Sequence, residues 1–219
     1  MAYFPFFVDI EEQNCLIVGG GIVALRKVEV LLPYGPDMTV ISPEFVPELR
    51  MLAETSSVRL EERAFSMEDL TGRDFVIAAT DDPELNRQIS LTCKKDRIPV
   101  NVVDVKDECS FIFPSIVRDG DIVIGISSGG KSPAVTQYLK KQIRKGIPDG
   151  YGQLVRQLGE YRDFVKQRVE DVNQRSIIFK RMADIGRDQG CSINEELVET
   201  LIDQVLEEAA YKQRGEASE

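Results

Sequence analysis

The segment Val18-Gly19-Gly20-Gly21-Ile22-Val23-Ala24 holds the spacing G-x-G-x-x-A as Gly19, Gly21 and Ala24. An apolar run, Cys15–Gly19, precedes it and a helical pattern from Ile22 follows, which is the setting of a dinucleotide-binding turn. Gly19 permits the tight turn, Gly21 lets backbone approach a pyrophosphate, and Ala24 is small enough for close helix–strand packing. The helix start at Ile22 and Val23 then offers unpaired N–H groups to phosphates. The same glycines would also serve a tight βα turn that binds nothing. The acid usually found about 20 residues further on, for the ribose, falls near Ile41–Ser42. Ser42-Pro43 occupies that place and Glu44 follows, so Glu44 either reaches the ribose hydroxyls or is a solvated loop acid. No Arg or Lys occurs from Ser42 to Leu49 to meet a 2′-phosphate, which favours NAD over NADP.

Two later apolar runs end in chemistry-bearing residues, Ala78-Ala79-Thr80-Asp81-Asp82 and Asn101-Val102-Val103-Asp104. Open α/β sheets bind ligands beyond the carboxyl ends of their strands. Thr80 is therefore a candidate cofactor contact, and Asp104 stands where a catalytic group belongs, unless it is a solvated acid or turn former. Asp81 and Asp82 read equally well as helix caps. A small-residue loop, Ser127-Ser128-Gly129-Gly130-Lys131-Ser132-Pro133, leads into a further helix. Its backbone donors, with Lys131, suit a carboxylate or phosphate, or the loop is an ordinary turn and cap. It lacks the Walker spacing.

Absences narrow the chemistry. The chain has no histidine, so acid–base work near neutrality falls to carboxylates, Lys, Tyr or Cys. The four cysteines (Cys15, Cys93, Cys109, Cys191) form no C-x-x-C pair, and no metal cage is legible. They read as reduced thiols of a cytoplasmic protein. The N-terminus lacks the basic region and cleavage site of a signal peptide, and no apolar run approaches the roughly 18 residues of a membrane span.

The elements that must position these residues alternate over the first hundred positions. Strands are expected at Cys15–Gly19, Met38–Ser42, Val58–Leu60, Asp74–Thr80 and Pro99–Val103. Helices are expected from Ile22 to Leu32, with Val23, Val28, Leu31 and Leu32 on one side, and from Pro83 to about Lys95. This order predicts a doubly wound parallel sheet. The pattern then changes to a hairpin, Ser115–Val117 and Asp121–Ile126, and a helix from Ser132-Pro133 to about Gly146. Beyond the linker Gly146–Gly150 the sequence is helical. One apolar stripe runs Leu154, Leu158, Tyr161, Val165, Val169, Val172, and another Leu197, Val198, Leu201, Ile202, Val205, Leu206. The net charge of −10 argues against general nucleic-acid binding. It is unevenly spread: Ile122–Pro148 holds no acid and five bases (Lys131, Lys140, Lys141, Arg144, Lys145). That island is either a solvated helix face or a receptor for a polyanionic ligand.

CLIVGGGIVALRK, AATDD, NVVD, SFIFPS (Ser110–Ser115) and ISSGGKSP occur together in this order. Jointly they resemble the precorrin-2 dehydrogenase/sirohydrochlorin ferrochelatase family, including the N-terminal module of siroheme synthase. The resemblance is strong over about residues 1–150. It implies an NAD-binding Rossmann domain (1–113), a small dimerisation region (114–147) and an all-helical C-terminal domain (148–219). It further implies a homodimer that oxidises precorrin-2 to sirohydrochlorin with NAD, in some members followed by ferrous iron insertion to siroheme. On this resemblance Asp104 takes the place of the family's essential aspartate, and Ser128 lines the tetrapyrrole site with Lys131 nearby. The methyltransferase half of fused siroheme synthases has no counterpart, so precorrin-2 is expected from a separate enzyme. The rival readings are a non-catalytic NAD-sensing regulatory protein and an ordinary NAD-linked dehydrogenase. The latter would ordinarily bring a histidine, a Tyr-x3-Lys pair or a larger substrate domain.

Overall fold

The structure is a computed structural model and describes residues 3–216, with side chains to residue 212. The chain divides into two compact units, one running to Phe113 and the other starting at Pro114.

The first unit alternates strand and helix: β1 (Asn14–Val18), α1 (Ile22–Leu31), β2 (Asp37–Ser42), α2 (Pro47–Glu54), β3 (Arg59–Glu62), β4 (Phe75–Ala78), α3 (Pro83–Asp96) and β5 (Val100–Val102). The five strands are parallel in the order β3-β2-β1-β4-β5, the Rossmann-type arrangement. Central strands buried on both faces need continuous apolar runs, and Cys15–Val18 and Phe75–Ala78 are buried throughout. Leu16, Val18, Val76 and Ala78 pack into the layer under α3, while Cys15, Ile17, Val40 and Ile77 pack into the layer under α1 and α2. Burial pushes the Cys15 thiol far up and that of Cys93, on α3, up to about 11, so both are inert thiols of the core.

The helices of this unit depart from expectation at two places. The buried face of α1 is Ala24, Val28 and Leu31, whereas Val23 is exposed and Leu32 has left the helix for a 3₁₀ turn. Positions four and three apart stay on one stripe, and Val23, one residue before Ala24, is turned off it by about 100°. The short helix α2 was not anticipated; only Leu49 of its eight residues is buried, too little for a periodic signal.

The second unit opens with an antiparallel hairpin, β6 (Ser115–Asp119) and β7 (Ile122–Ile126), paired Ser115 to Ile126. The helix α4 (Pro133–Gly146) follows, capped by Ser132, whose hydroxyl accepts the Val135 amide hydrogen at 3.3 Å. Three helices, α5 (Tyr151–Arg168), α6 (Val172–Asp188) and α7 (Glu195–Glu216), complete it around Leu154, Val165, Ile178, Met182, Val198 and Ile202. The stripe expected to reach Val172 stops earlier. Helix α5 ends at Arg168, Asp171 caps α6, and Val172 is exposed at its first position. A parallel sheet followed by a small antiparallel sheet and a helical C-terminal region is the architecture expected from the sequence. Among the described residues no helix is long and apolar enough to cross a membrane.

Candidate functional site

The parallel register aligns the strand ends. Val18 pairs with Ile41 on one side and Ala78 on the other, and Ala78 pairs with Val102. The residues that follow those positions therefore emerge along one edge: Gly19–Gly21, Pro43–Glu44, Thr80 and Asp104. The strand order reverses between β1 and β4, and a crevice at that point is where such sheets take nucleotides.

The glycine turn divides its work among three residues. Gly19 has φ +118°, and a Cβ there would lie 2.3 Å from the Ala79 carbonyl oxygen. Gly20 is as confined, with a Cβ position 2.1 Å from the Glu44 carbonyl oxygen, so the unconstrained position of the motif is in fact fixed by the loop after β2. Gly21 is the opposite case, with open space around its Cβ position. It is also the N-cap of α1, and no side chain caps that helix or places an acid in its first turn. By contrast Asp82 caps α3, accepting from the amides of Glu84 and Leu85 at 2.9 and 3.1 Å. The amides at the start of α1, at Ile22, Val23 and Ala24, are thus left for an anion, and the helix dipole favours one. These features fit a dinucleotide pyrophosphate. Pro43 and Glu44 are exposed beyond β2, where a ribose would lie; the Glu44 amide donates weakly to Ser42 Oγ at 3.4 Å.

Thr80 is held by a residue that sequence reasoning passed over. Asn86, buried on α3, accepts from the Thr80 hydroxyl at 2.8 Å and returns a hydrogen bond from Nδ2 to the Thr80 carbonyl at 2.9 Å. It lies in the first turn of α3, six residues from Thr80, and its side chain meets the strand end only because the helix starts at Pro83. Asn86→Ala leaves these groups unpaired. It is expected to cost about 1–3 kcal/mol in thermal or denaturant unfolding and to weaken dinucleotide binding in a calorimetric titration. Unchanged stability and affinity would contradict the clamp.

Asp104 sits at the tip of a tied loop. The Val105 amide donates to the Val102 carbonyl at 3.4 Å, making Asp104 the third residue of a β-turn, and its φ is +61°. Glycine or asparagine usually fills such a position, and aspartate tolerates it. The loop is closed by Cys109, whose sulfur donates to the Val102 carbonyl and lies 3.2 Å from the Val102 amide. Asn101, buried on β5, donates to the Phe111 carbonyl at 3.0 Å and draws the returning segment along the sheet edge. Cys109 and Asn101 are thus structural partners of Asp104, a role not visible in the spacing of the cysteines. The carboxylate itself is exposed beyond the end of β5.

Ser128 and Lys131 belong to the second unit. The Ser128 hydroxyl accepts from the Ser132 amide at 2.9 Å, and Gly129 and Gly130 take φ of +62° and +78°. The Lys131 amide donates to the Ser128 carbonyl at 3.3 Å, and its side chain is exposed.

Residues 6–115, half of the chain, match the family model described as "Putative NAD(P)-binding". The chain belongs to this NAD(P)-binding family, which supplies the cofactor class that the Gly19–Ala24 turn is built to hold. It is 43% identical over 186 residues to the siroheme synthase of Nitrosospira multiformis, covering 83% of this chain and 39% of that protein. It is 38% identical over 218 residues to the siroheme synthase of Methylobacillus flagellatus, covering 99% of this chain and 46% of that protein. The chain therefore spans less than half the length of these curated relatives. Among solved structures it matches "SirC, precorrin-2 dehydrogenase" with a TM-score of 0.72 at 21% identity, covering 94% of this chain and all of that one, a likeness of fold.

Proposed function

We propose that the chain oxidises precorrin-2 to sirohydrochlorin with NAD as hydride acceptor. The observation that carries this reading is the 43% identity to a siroheme synthase across 83% of the chain. It is joined to a phosphate-ready glycine turn and a carboxylate at the end of β5. The nicotinamide, when bound, supplies the acceptor for the hydride. The protein's own part is to hold the dinucleotide on the α1 amides and to take the proton. Oxidation removes a hydride and a proton from the macrocycle, and Asp104 accepts the proton at a carboxylate oxygen as general base. With no histidine in the chain, the base falls to a carboxylate, Lys, Tyr or Cys, and Asp104 is the one at the end of β5. Ser128 and Lys131 bind the tetrapyrrole, and the basic island from Lys131 to Lys145 attracts its eight carboxylates.

We further propose a homodimer, because α4 leaves Val135, Tyr138 and Leu139 exposed on a helix whose buried positions reduce to Thr136. Four buried free cysteines suit the cytoplasm. Ferrous iron is read as a second substrate, inserted into sirohydrochlorin with Asp104 assisting loss of the pyrrole protons.

The test is anaerobic. Purified protein is mixed with precorrin-2 and NAD, then with ferrous iron, while the absorbance is followed. Sirohydrochlorin appearing only with NAD supports the dehydrogenase, and faster-than-spontaneous conversion to siroheme supports metal insertion. A folded, NAD-binding protein that leaves precorrin-2 unchanged would instead be a sensor.

A further inference from the structure

The stretch from Ser42 to Leu49 holds no basic residue, yet the fold brings two arginines to the end of β2. Strand β3 pairs with β2 so that Glu61 lies beside Ile41 and Glu62 beside Ser42. The Arg63 amide then donates to the Ser42 carbonyl at 3.1 Å. Arg63 therefore leaves the sheet alongside Pro43 and Glu44, the segment where a ribose would lie. Arg50, on α2, reaches the same edge, with its guanidinium 5.4 Å from the centroid of the Phe45 ring. In dinucleotide-binding sheets an arginine near this place receives the 2′-phosphate that distinguishes NADP from NAD.

Both arginines are already engaged. Arg50 donates to the two carboxylate oxygens of Glu62, at 2.6 and 3.1 Å. The five N–H groups of Arg63 are matched by five hydrogen bonds. Nη1 and Nη2 grip the Asp69 carboxylate at 2.8 and 2.7 Å, and Nε and Nη2 both donate to Glu61 Oε2. The second Nη1 hydrogen goes to the Ala64 carbonyl at 3.1 Å. Asp69 is fixed in turn by the Ser66 amide, which donates to it at 2.8 Å. Arg63 holds the Asp69 carboxyl below its ordinary range, so the acid is ionised at neutral pH. Arg73 lies further back, donating to the Asp69 carbonyl and to the Thr39 hydroxyl within β2. Arg63 with its two carboxylates is thus a net negative unit without a spare donor.

We propose that Glu61 and Asp69 set the choice of cofactor: they occupy Arg63 and keep the ribose end of the crevice negative, so the chain takes NAD and rejects NADP. A 2′-phosphate adds nearly two negative charges, which this edge repels and has no free guanidinium to receive. The proposal rests on the reading of the α1 turn as the holder of NAD in precorrin-2 oxidation.

Dinucleotide binding to the full chain, without tetrapyrrole, is followed by calorimetric titration. Wild type is compared with Glu61→Gln and with the double variant Glu61→Gln/Asp69→Asn, in which asparagine keeps an acceptor for the Ser66 amide. Wild type is expected to bind NADP at least about tenfold more weakly than NAD. The ratio of NADP to NAD affinity is expected to rise about tenfold in Glu61→Gln and about a hundredfold in the double variant, as Arg63 regains donors for a phosphate. Adding Arg63→Met to the double variant is expected to remove the gain.

An affinity ratio in Glu61→Gln equal to that of wild type overturns the proposal. This holds even if the double variant fails to fold, because Glu61 is an exposed partner and such ion pairs add little to stability. Equal binding of both dinucleotides by wild type also overturns it, as does a gain that survives the loss of Arg63. A wild type that binds neither dinucleotide is a different failure, that of the underlying reading.

Discussion

Replacing Asp104 by asparagine is expected to lower the turnover of precorrin-2 by about 10²–10⁴-fold, with the fold and the affinity for NAD intact. The choice of residue follows from the backbone. At φ +61° a β-carbon is crowded, and asparagine tolerates this region as well as aspartate does. The substitution thus removes the proton acceptor and keeps the turn, the Cys109 tie and the glycine turn of α1. Alanine would mix a backbone cost of about 1–2 kcal/mol with the chemical loss. Glycine at the same position gives the complementary result. It relieves the strain, so thermal stability holds or rises, while turnover is lost as in the asparagine variant. A mutation series in which stability and activity move in opposite directions separates a residue kept for chemistry from one kept for folding. Asparagine or glycine variants with wild-type kcat would remove Asp104 from the reaction.

The second large effect is a contrast within the glycine turn. Gly19→Ala forces a Cβ to within 2.3 Å of the Ala79 carbonyl at a φ of +118°. The strained backbone and the overpacking together are expected to cost about 2–5 kcal/mol, read as a lower melting temperature even without cofactor. Gly21→Ala meets nothing within 4 Å and has an ordinary extended conformation, φ −85° and ψ −174°. Its stability should change by no more than about 1 kcal/mol. The added methyl, however, projects into the space left for the phosphates. NAD affinity should fall about tenfold to a hundredfold in a calorimetric titration. If Gly21→Ala bound NAD as wild type does, the pyrophosphate would not sit on this helix start.

Much of this was legible in the sequence because it is local. An apolar strand, three glycines and a helix start are contiguous, and the chain there can make only a tight βα turn. Asp104 was legible for a related reason, since the end of a parallel strand is a defined place in such a sheet whatever its neighbours. The partners that hold these groups were not. Asn86 reaches Thr80 across the β4–α3 turn only because the helix starts at Pro83 and aims its first turn at the strand end, and Cys109 reaches Val102 only because the chain doubles back after β5. The misplacements share a cause. Leu32 and Val172 are apolar residues at helix boundaries, where periodicity marks a face but the boundary decides whether that face is covered.

On the proposed function, hydride leaves precorrin-2 for a nicotinamide held by this chain. The most direct measurement is the amount of NADH formed against the amount of sirohydrochlorin formed, under anaerobic conditions, with the protein in catalytic amount. Equal amounts of the two products, both abolished by Asp104→Asn, are the expected result. Sirohydrochlorin without matching NADH, or no product from a protein that binds NAD, would contradict it.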